Sequence, residues 1–390
     1  MHIEFLIISL IKAGLILFVL LTTAAYLVWI ERKVLAHIQL RVGPQRVGPH
    51  GLLQPLADLI KLMTKEGVMP GHVNSFFYVL APFLAVFTAL IPICVIPFGP
   101  EVNIFGYRTW MQLTDLKIGV LFVLAISSIS VYGVALGGWA SNNKYSLIGG
   151  LRSSAQMISY ELPLALALAA PLLLVNTLSF RQIVDAQGDA IWGWNVVPQI
   201  VSFFVFLIAS FAETNRVPFD LPEAENELVA GFHTEYSSLG FAAFFTAEYC
   251  NIVTVCCVTT LLWLGGWKPL FPAAYGSNWV PTLLFLFAGI MAFVHGFQPA
   301  RKWDKFTFPV VGVVAFGLAL LFAIPILQPV LIPLFWFGSK AFFLIFVFIW
   351  IRGTLPRFRY DQLMRFAWTV LFPVAVVNLL ITALLVSVTS

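Results

Sequence analysis

The chain has 390 residues, 60% hydrophobic and only 10% charged, with a formal net charge of +4 and a mean hydropathy of +0.93. These values place it among multi-span helical membrane proteins. They leave no room for a soluble domain of ordinary size and no separate basic domain for nucleic acid, so the implied fold class is all-α, one polytopic membrane domain over 1–390.

Ten apolar runs are predicted to span the bilayer: 5–30, 76–98, 117–138, 155–176, 196–212, 237–264, 280–298, 307–328, 334–351 and 366–387. The opening MHIEFLII lacks a basic n-region and a small-residue cleavage site, so it is expected to stay attached as the first span. Between the first two spans, ERKVLAHIQLRVGPQRVGPHGLLQPLADLIKLMTKEG reads as a loop broken by Gly43, Pro44, Gly48, Pro49 and Gly51, followed by an amphipathic helix. Leu52, Leu53, Leu56, Ile60 and Met63 share one face of that helix, while Gln54, Asp58, Lys61 and Lys65 share the other. Such a helix lies either on the lipid surface or against a partner. The four cysteines, Cys94, Cys250, Cys256 and Cys257, all fall in apolar runs without metal-ligand spacing and read as small core residues.

Orientation follows from Lys and Arg, which favour short cytoplasmic loops. If the loop at 32–66 is inside, alternation puts sixteen Lys and Arg inside. Arg108, Lys117, Arg181, Lys268 and Lys340 are left to the outer loops and span ends, and Lys12 to the first span. Both termini are thus expected outside.

The segment 213–235, ETNRVPFDLPEAENELVAGFHTE, is then on the inner face and holds six of the eighteen carboxylates beside a single Arg216. Asp220 and Pro222 look like a helix start, with Glu223 and Glu227 on one face. The interleaved Val217, Phe219, Leu221, Leu228, Val229 and Phe232 imply a folded, covered loop. Two further carboxylates, Glu161 and Glu248, lie in apolar sequence, roughly 15 Å from the inner ends of their spans at about 1.5 Å per residue. An intramembrane carboxylate is a functional candidate by default, the structural alternative being a protonated Glu hydrogen-bonded to a neighbouring helix. No cation is evident in sequence to pair either. Glu213 closes the fifth span, so Glu213, Glu161 and Glu248 are expected to form a ladder of coupled titrating groups leading from the acidic segment into the bilayer.

Residues 271–330 hold two apolar runs joined by RKWDK, which puts Arg301, Lys302 and Lys305 inside if the pair crosses as a hairpin. The alternative is a re-entrant or interfacial piece at the outer surface. The last inner loop, RGTLPRFRYDQLM, carries Arg352, Arg357 and Arg359 beside Asp361 and suits charge-paired loop contacts or a docking surface. There is no His pair for bis-histidine haem, no Gly-rich nucleotide loop and no nucleophile constellation.

The blocks ERK…RVGP…GLLQPLADLIKL, SYELPL, AETNRVPFDLPEAENELVAGFHTEYS, FFTAEY and PRFRYDQLM closely resemble the H-type membrane subunits of NADH-quinone oxidoreductase, respiratory complex I, whose mitochondrial counterpart is NADH dehydrogenase subunit 1. The resemblance covers most of 20–270 and 334–387. It leaves 271–330 as an apparent insertion, so that about ten helices comprise eight family helices plus an added hairpin.

The resemblance implies a membrane subunit that joins a hydrophilic redox arm to a membrane arm and lines a quinone chamber. Glu31 and Arg32 of ERK and Arg41 of the RVGP loop would line that chamber near its entrance, and Asp58 would line it too. Glu213, Arg216, Asp220, Glu223, Glu225, Glu227 and Glu235 would form the charged lining of the quinone loop. Glu161 and Glu248 would be deep coupling carboxylates, and Arg352, Arg357, Arg359 and Asp361 would make the inner-loop charge contacts. It further implies quinone as substrate, no cofactor or metal held by this chain, and flavin and iron–sulfur clusters on partner subunits. The implied partners are quinone-site and iron–sulfur subunits of the hydrophilic arm, small membrane-arm subunits and lipid, in a bacterial inner membrane. Two other readings share these features: a membrane anchor of a membrane-bound hydrogenase or formate hydrogenlyase, and a stand-alone proton-coupled transporter.

Overall fold

The structure is a computed structural model and describes residues 2–104, 107–220, 229–297 and 303–389. Helices dominate it, in the order α1 (His2–Ile38), α2 (Gln54–Thr64), α3 (Ser75–Leu90), α4 (Gly119–Ala140), α5 (Lys144–Val175), α6 (Phe180–Ala186) and α7 (Ile200–Glu213). There follow α8 (Ser238–Trp263), α9 (Val280–Phe297), α10 (Asp304–Ala323), α11 (Gln328–Thr354), α12 (Tyr360–Phe366) and α13 (Phe372–Thr389). One short antiparallel pair, Glu101–Ile104 with Tyr107–Trp110, lies between α3 and α4 and leaves the all-α class unchanged.

Among the described residues nine helical segments are long and apolar enough to cross a membrane. Every expected span is helical, but the fifth is the shorter α7, of 14 residues. Its expected first turn is instead a run of loop bonds, with Val196 N donating to Trp263 O at 3.0 Å. The first helix runs past its expected end because 31–38 contains neither Gly nor Pro. ERK is therefore helical rather than part of the loop, and α1 stops only before Leu40, which has φ 54°.

α5 starts at Asn143, whose side chain accepts from Tyr145 N at 2.9 Å, and ends at Asn176 in the left-handed region, as helix termini require. It packs against α4, α7 and α13, while α8 packs against α1, α3 and α11, and these two helices organise the core. Small residues allow the close approaches that replace hydrophobic driving force inside lipid. A Cβ at Gly138 would meet Ser146 O at 2.6 Å, and one at Gly149 would meet Phe232 N at 2.7 Å.

Charged side chains sort into two opposite faces. On one, Arg352 meets Glu31, Arg357 meets Asp220, Asn143 meets Glu235 and Ser238 holds the carbonyls of Leu62 and Lys65. On the other, Lys12 holds Thr109 and Trp110, Arg181 pairs with Asp115 at 2.6 Å, and Lys268 reaches Asp189 at 3.3 Å. Lys340, counted above among outer span ends, is buried inside α11. Its ammonium donates to the carbonyls of Leu264, Gly266 and Lys268 at 2.6, 3.0 and 2.6 Å and stands 4.0 Å over the Trp194 ring, capping the end of α8.

Gly149→Ala is expected to destabilise the protein by about 1–3 kcal/mol, because the new methyl meets backbone that cannot move aside. Gly317→Ala, where a Cβ meets nothing within 4 Å, should leave the melting temperature unchanged or higher. Thermal melting of the two purified variants checks the contrast.

Candidate functional site

The chain leaves α7 at Glu213 through a tight turn. Thr214 Oγ1 donates to Ser210 O at 2.9 Å, and Asn215 adopts a left-handed φ of 49°. That turn swings Arg216 back toward α1 and α8. Its guanidinium stacks on Tyr249, 4.2 Å from the ring centre, with Nη1 4.0 Å from Glu31 Oε1 and Nη2 3.9 Å from Glu248 Oε2. Tyr249 Oη donates to Glu31 Oε2 at 2.6 Å, and Arg352 pairs with Glu31 Oε1. Glu31 and Arg216 are both buried, and a cavity beside them is lined by Leu27, Tyr249, Phe348 and Arg352. Buried charges persist only when paired and hydrogen-bonded; here Arg352 and Arg216 pair Glu31, Arg216 pairs Glu248, and Tyr249 gives Glu31 a hydrogen bond.

Glu248 is thus not without a cation, as the sequence suggested. Arg216 arrives from a loop 32 residues earlier in the chain (248 minus 216), a proximity that hydropathy does not reveal. Glu161 accepts from Ser128 of α4. Glu213 is hydrogen-bonded to Ser127 and close enough to Glu161 for the two carboxylates to repel. It also lines one cavity with Ser130, Glu248 and Asn251, and a second with Ser127, Asn251 and Thr254. Glu213 thus neighbours Glu161 and shares a cavity wall with Glu248.

Other site residues lie further out. Asp220 is buried and pairs with Arg357 at 3.1 Å. The two loops are further joined by Phe358 N donating to Pro218 O at 3.1 Å and by Phe219 stacked on Phe358. Glu235 accepts from Asn143 Nδ2 at 2.6 Å. Arg32 pairs with Asp58 at 2.9 Å on the surface, and Arg359 with Asp361 at 3.2 Å, both well exposed, so neither pair contributes much to stability. Arg41 is exposed and bonds Gln39, away from the buried cluster. Glu223, Glu225 and Glu227, with the helix start expected at Asp220 and Pro222, fall at or beyond the edge of the described residues. The apolar face of α2, including Leu53, Leu56, Ile60 and Met63, is exposed on this chain.

One residue central to this geometry was missed in the sequence. Gln156, fully buried on α5, donates through Nε2 to Ala212 O at 2.9 Å and Phe219 O at 2.8 Å, with Asn215 Oδ1 at 3.3 Å. It ties both ends of the 212–219 turn to a membrane helix. Its signal was present, since a Gln inside an apolar run needs an internal partner. Among the described residues no group of three or more His, Cys, Asp or Glu side chains is placed to hold a metal ion.

A family model described as NADH dehydrogenase matches residues 11–383. The chain is 62% identical over 391 residues to H subunit 1 of NADH-quinone oxidoreductase from Solibacter usitatus (strain Ellin6076), covering 99% of this chain and 98% of the relative. It is 47% identical to H subunit 2 of the Koribacter versatilis (strain Ellin345) enzyme, covering 98% of each. It is also 47% identical to the H subunit of the Protochlamydia amoebophila (strain UWE25) enzyme, covering 93% and 92%.

Gln156→Leu keeps the volume but strands the carbonyls of Ala212 and Phe219, at about 1–3 kcal/mol per unsatisfied group. Hydrogen–deuterium exchange should show amides across 212–220 exchanging at least about tenfold faster, since 1.4 kcal/mol is a factor of ten, with α1 and α3 unaffected.

Proposed function

Since the chain belongs to the NADH dehydrogenase family, we propose that it is the quinone-chamber and proton-coupling membrane subunit of a proton-translocating NADH:quinone oxidoreductase, joining the redox arm to the membrane arm. The observation that carries this reading is Arg216, held between Glu31 and Glu248 and stacked on Tyr249. It makes one charged cluster of an inner-face carboxylate and an intramembrane one, next to the cavities that Glu213 lines.

Reduction of a quinone to a quinol takes up a pair of electrons and a pair of protons. In this reading the electrons come from an iron–sulfur partner subunit, and the chamber is lined by Glu31, Arg32, Arg41, Asp58, Arg216, Asp220, Glu223, Glu225, Glu227 and Glu235. Uptake of protons there changes the charge facing Glu31 and Arg216. A charge change in a low-dielectric cluster acts strongly on its neighbours, so it biases the protonation of Glu248, Glu213 and Glu161. These three pass the effect toward the membrane arm as coupled sites.

Arg352 and Arg357 hold the last inner loop onto this assembly through Glu31 and Asp220, while Arg359 and Asp361 stand exposed at its rim. The exposed apolar face of α2 is assigned to the redox arm rather than to lipid, since its polar face mixes both signs of charge. Flavin and iron–sulfur clusters belong to partner subunits, and the remaining contacts are with small membrane-arm subunits and lipid. The clustered face at Glu31, Asp220 and Glu235 is assigned to the cytoplasm and both termini to the periplasm of a bacterial inner membrane, because the basic loops gather there. Residues 271–330 form an added transmembrane hairpin. The hydrogenase-anchor and transporter readings have no counterpart among the relatives named above.

Glu213→Gln and Glu161→Gln should each lower quinone-linked proton pumping, by roughly a hundredfold if the lost group transfers a proton directly. NADH oxidation by an artificial acceptor at the redox arm should survive. Pumping at the wild-type rate in vesicles of both variants sinks the relay.

A further inference from the structure

The hairpin of α9 and α10 is fastened at both ends. Toward the end of α10, Phe322 buries with Ile332 and Trp336, and Phe285 and Phe335 pack against them. At the start of α10, some 27 Å away at about 1.5 Å per residue, the fastening is polar. The Asp304 carboxylate is buried, and its Oδ1 lies 3.1 Å from His50 Nε2. His50 Nε2 also meets Thr307 Oγ1 at 3.1 Å, and its ring lies 6.2 Å from that of Phe308.

His50 is presented by a loop with little freedom. It has a left-handed φ of 52° between Gly48 and Gly51, whose φ values are 70° and 77°. Gly51 N donates to Gly48 O at 3.2 Å, and a Cβ on Gly51 would come 2.4 Å from Pro44 O, so only glycine fits. Gly43 approaches Lys33 Cα and Arg32 O so closely that a Cβ would meet them at 3.2 and 3.3 Å, which folds RVGP back onto the end of α1. A push on His50 therefore reaches Arg32 and its partner Asp58 through a stiff turn.

We propose that Asp304 is a positioning residue for quinone binding: through His50 the added hairpin braces the 43–51 loop at the chamber entrance. This rests on the placement of that loop at the entrance, given above. The hairpin thereby acquires a task on the inner face although most of its length faces outward from the helix bundle. The buried Asp304 carboxylate lies at ion-pair distance from the imidazole, and the hydrogen bond between His50 Nε2 and Thr307 Oγ1 adds a directional demand, so together they fix the loop more narrowly than apolar packing does.

The test compares KM and kcat for a long-tailed quinone in the purified complex carrying Asp304→Asn, Asp304→Glu, His50→Gln or Arg41→Ala, with artificial-acceptor NADH oxidation confirming assembly. Asp304→Asn and His50→Gln should each raise KM several-fold with little change in kcat. The double variant should be no worse than either single one, because both remove the same contact, and Asp304→Glu should recover most of the loss. A mere fastening of the hairpin would lower the yield of assembled complex and leave KM untouched. A normal KM for Asp304→Asn beside a raised KM for Arg41→Ala overturns the brace and leaves the entrance assignment standing. A normal KM for all the variants overturns the entrance assignment and the brace with it.

Discussion

Lipid offers no hydrogen bond to a charge, so each ionised group carried into the bilayer must find its partner within the protein. The core of this chain is arranged around that constraint. Glu31 is satisfied by Arg352 and Tyr249, and Glu248 lies by Arg216. Meeting the demand draws α1, α8, α11 and the turn after α7 to one point. The helices could pack in many ways on apolar contacts alone, but few arrangements bring these five side chains together. The cluster that makes the site chemically interesting thus also fixes the register of the helices around it.

α5 takes a second share of the work through its backbone-directed side chains. Ser146 reaches the carbonyls of Gly231 and Phe232, Gln156 those of Ala212 and Phe219, and Gly149 leaves room for the 231–233 turn. Both ends of the acidic segment are thereby held on one membrane helix. A loop that contributes charges to a buried site needs its backbone polar groups satisfied as fully as the charges themselves.

Much of this was legible in the chain alone, and what was not has identifiable causes. Apolar period and length located the long helices, and the glycines and prolines at 43–51 marked the loop after α1. Glu161, Glu213 and Glu248 stood out because a carboxylate in an apolar run is costly. The continuation of α1 through Glu31 is hidden because charge marks the end of an apolar run, whereas a helix ends where backbone geometry changes. Arg216 beside Glu248 and Asp304 beside His50 were invisible for a different reason: each pair joins distant stretches of chain. Gln156 was legible in principle, as a buried amide in need of acceptors, but it carries no charge to draw the eye.

Lys340 bears on how the assembly can move. Its three carbonyl partners and the Trp194 ring fix the far end of α8, about 22 Å along the axis from Glu248 at 1.5 Å per residue. A helix gripped at that end cannot slide along its own length without breaking three charge-assisted bonds at once. At the opposite end Ser238 holds the carbonyls of Leu62 and Lys65, so α8 is pinned at both ends with Glu248 and Tyr249 on the span between. A force applied at the carboxylate is therefore passed sideways to Arg216 and Glu31 rather than spent on moving the helix along its axis.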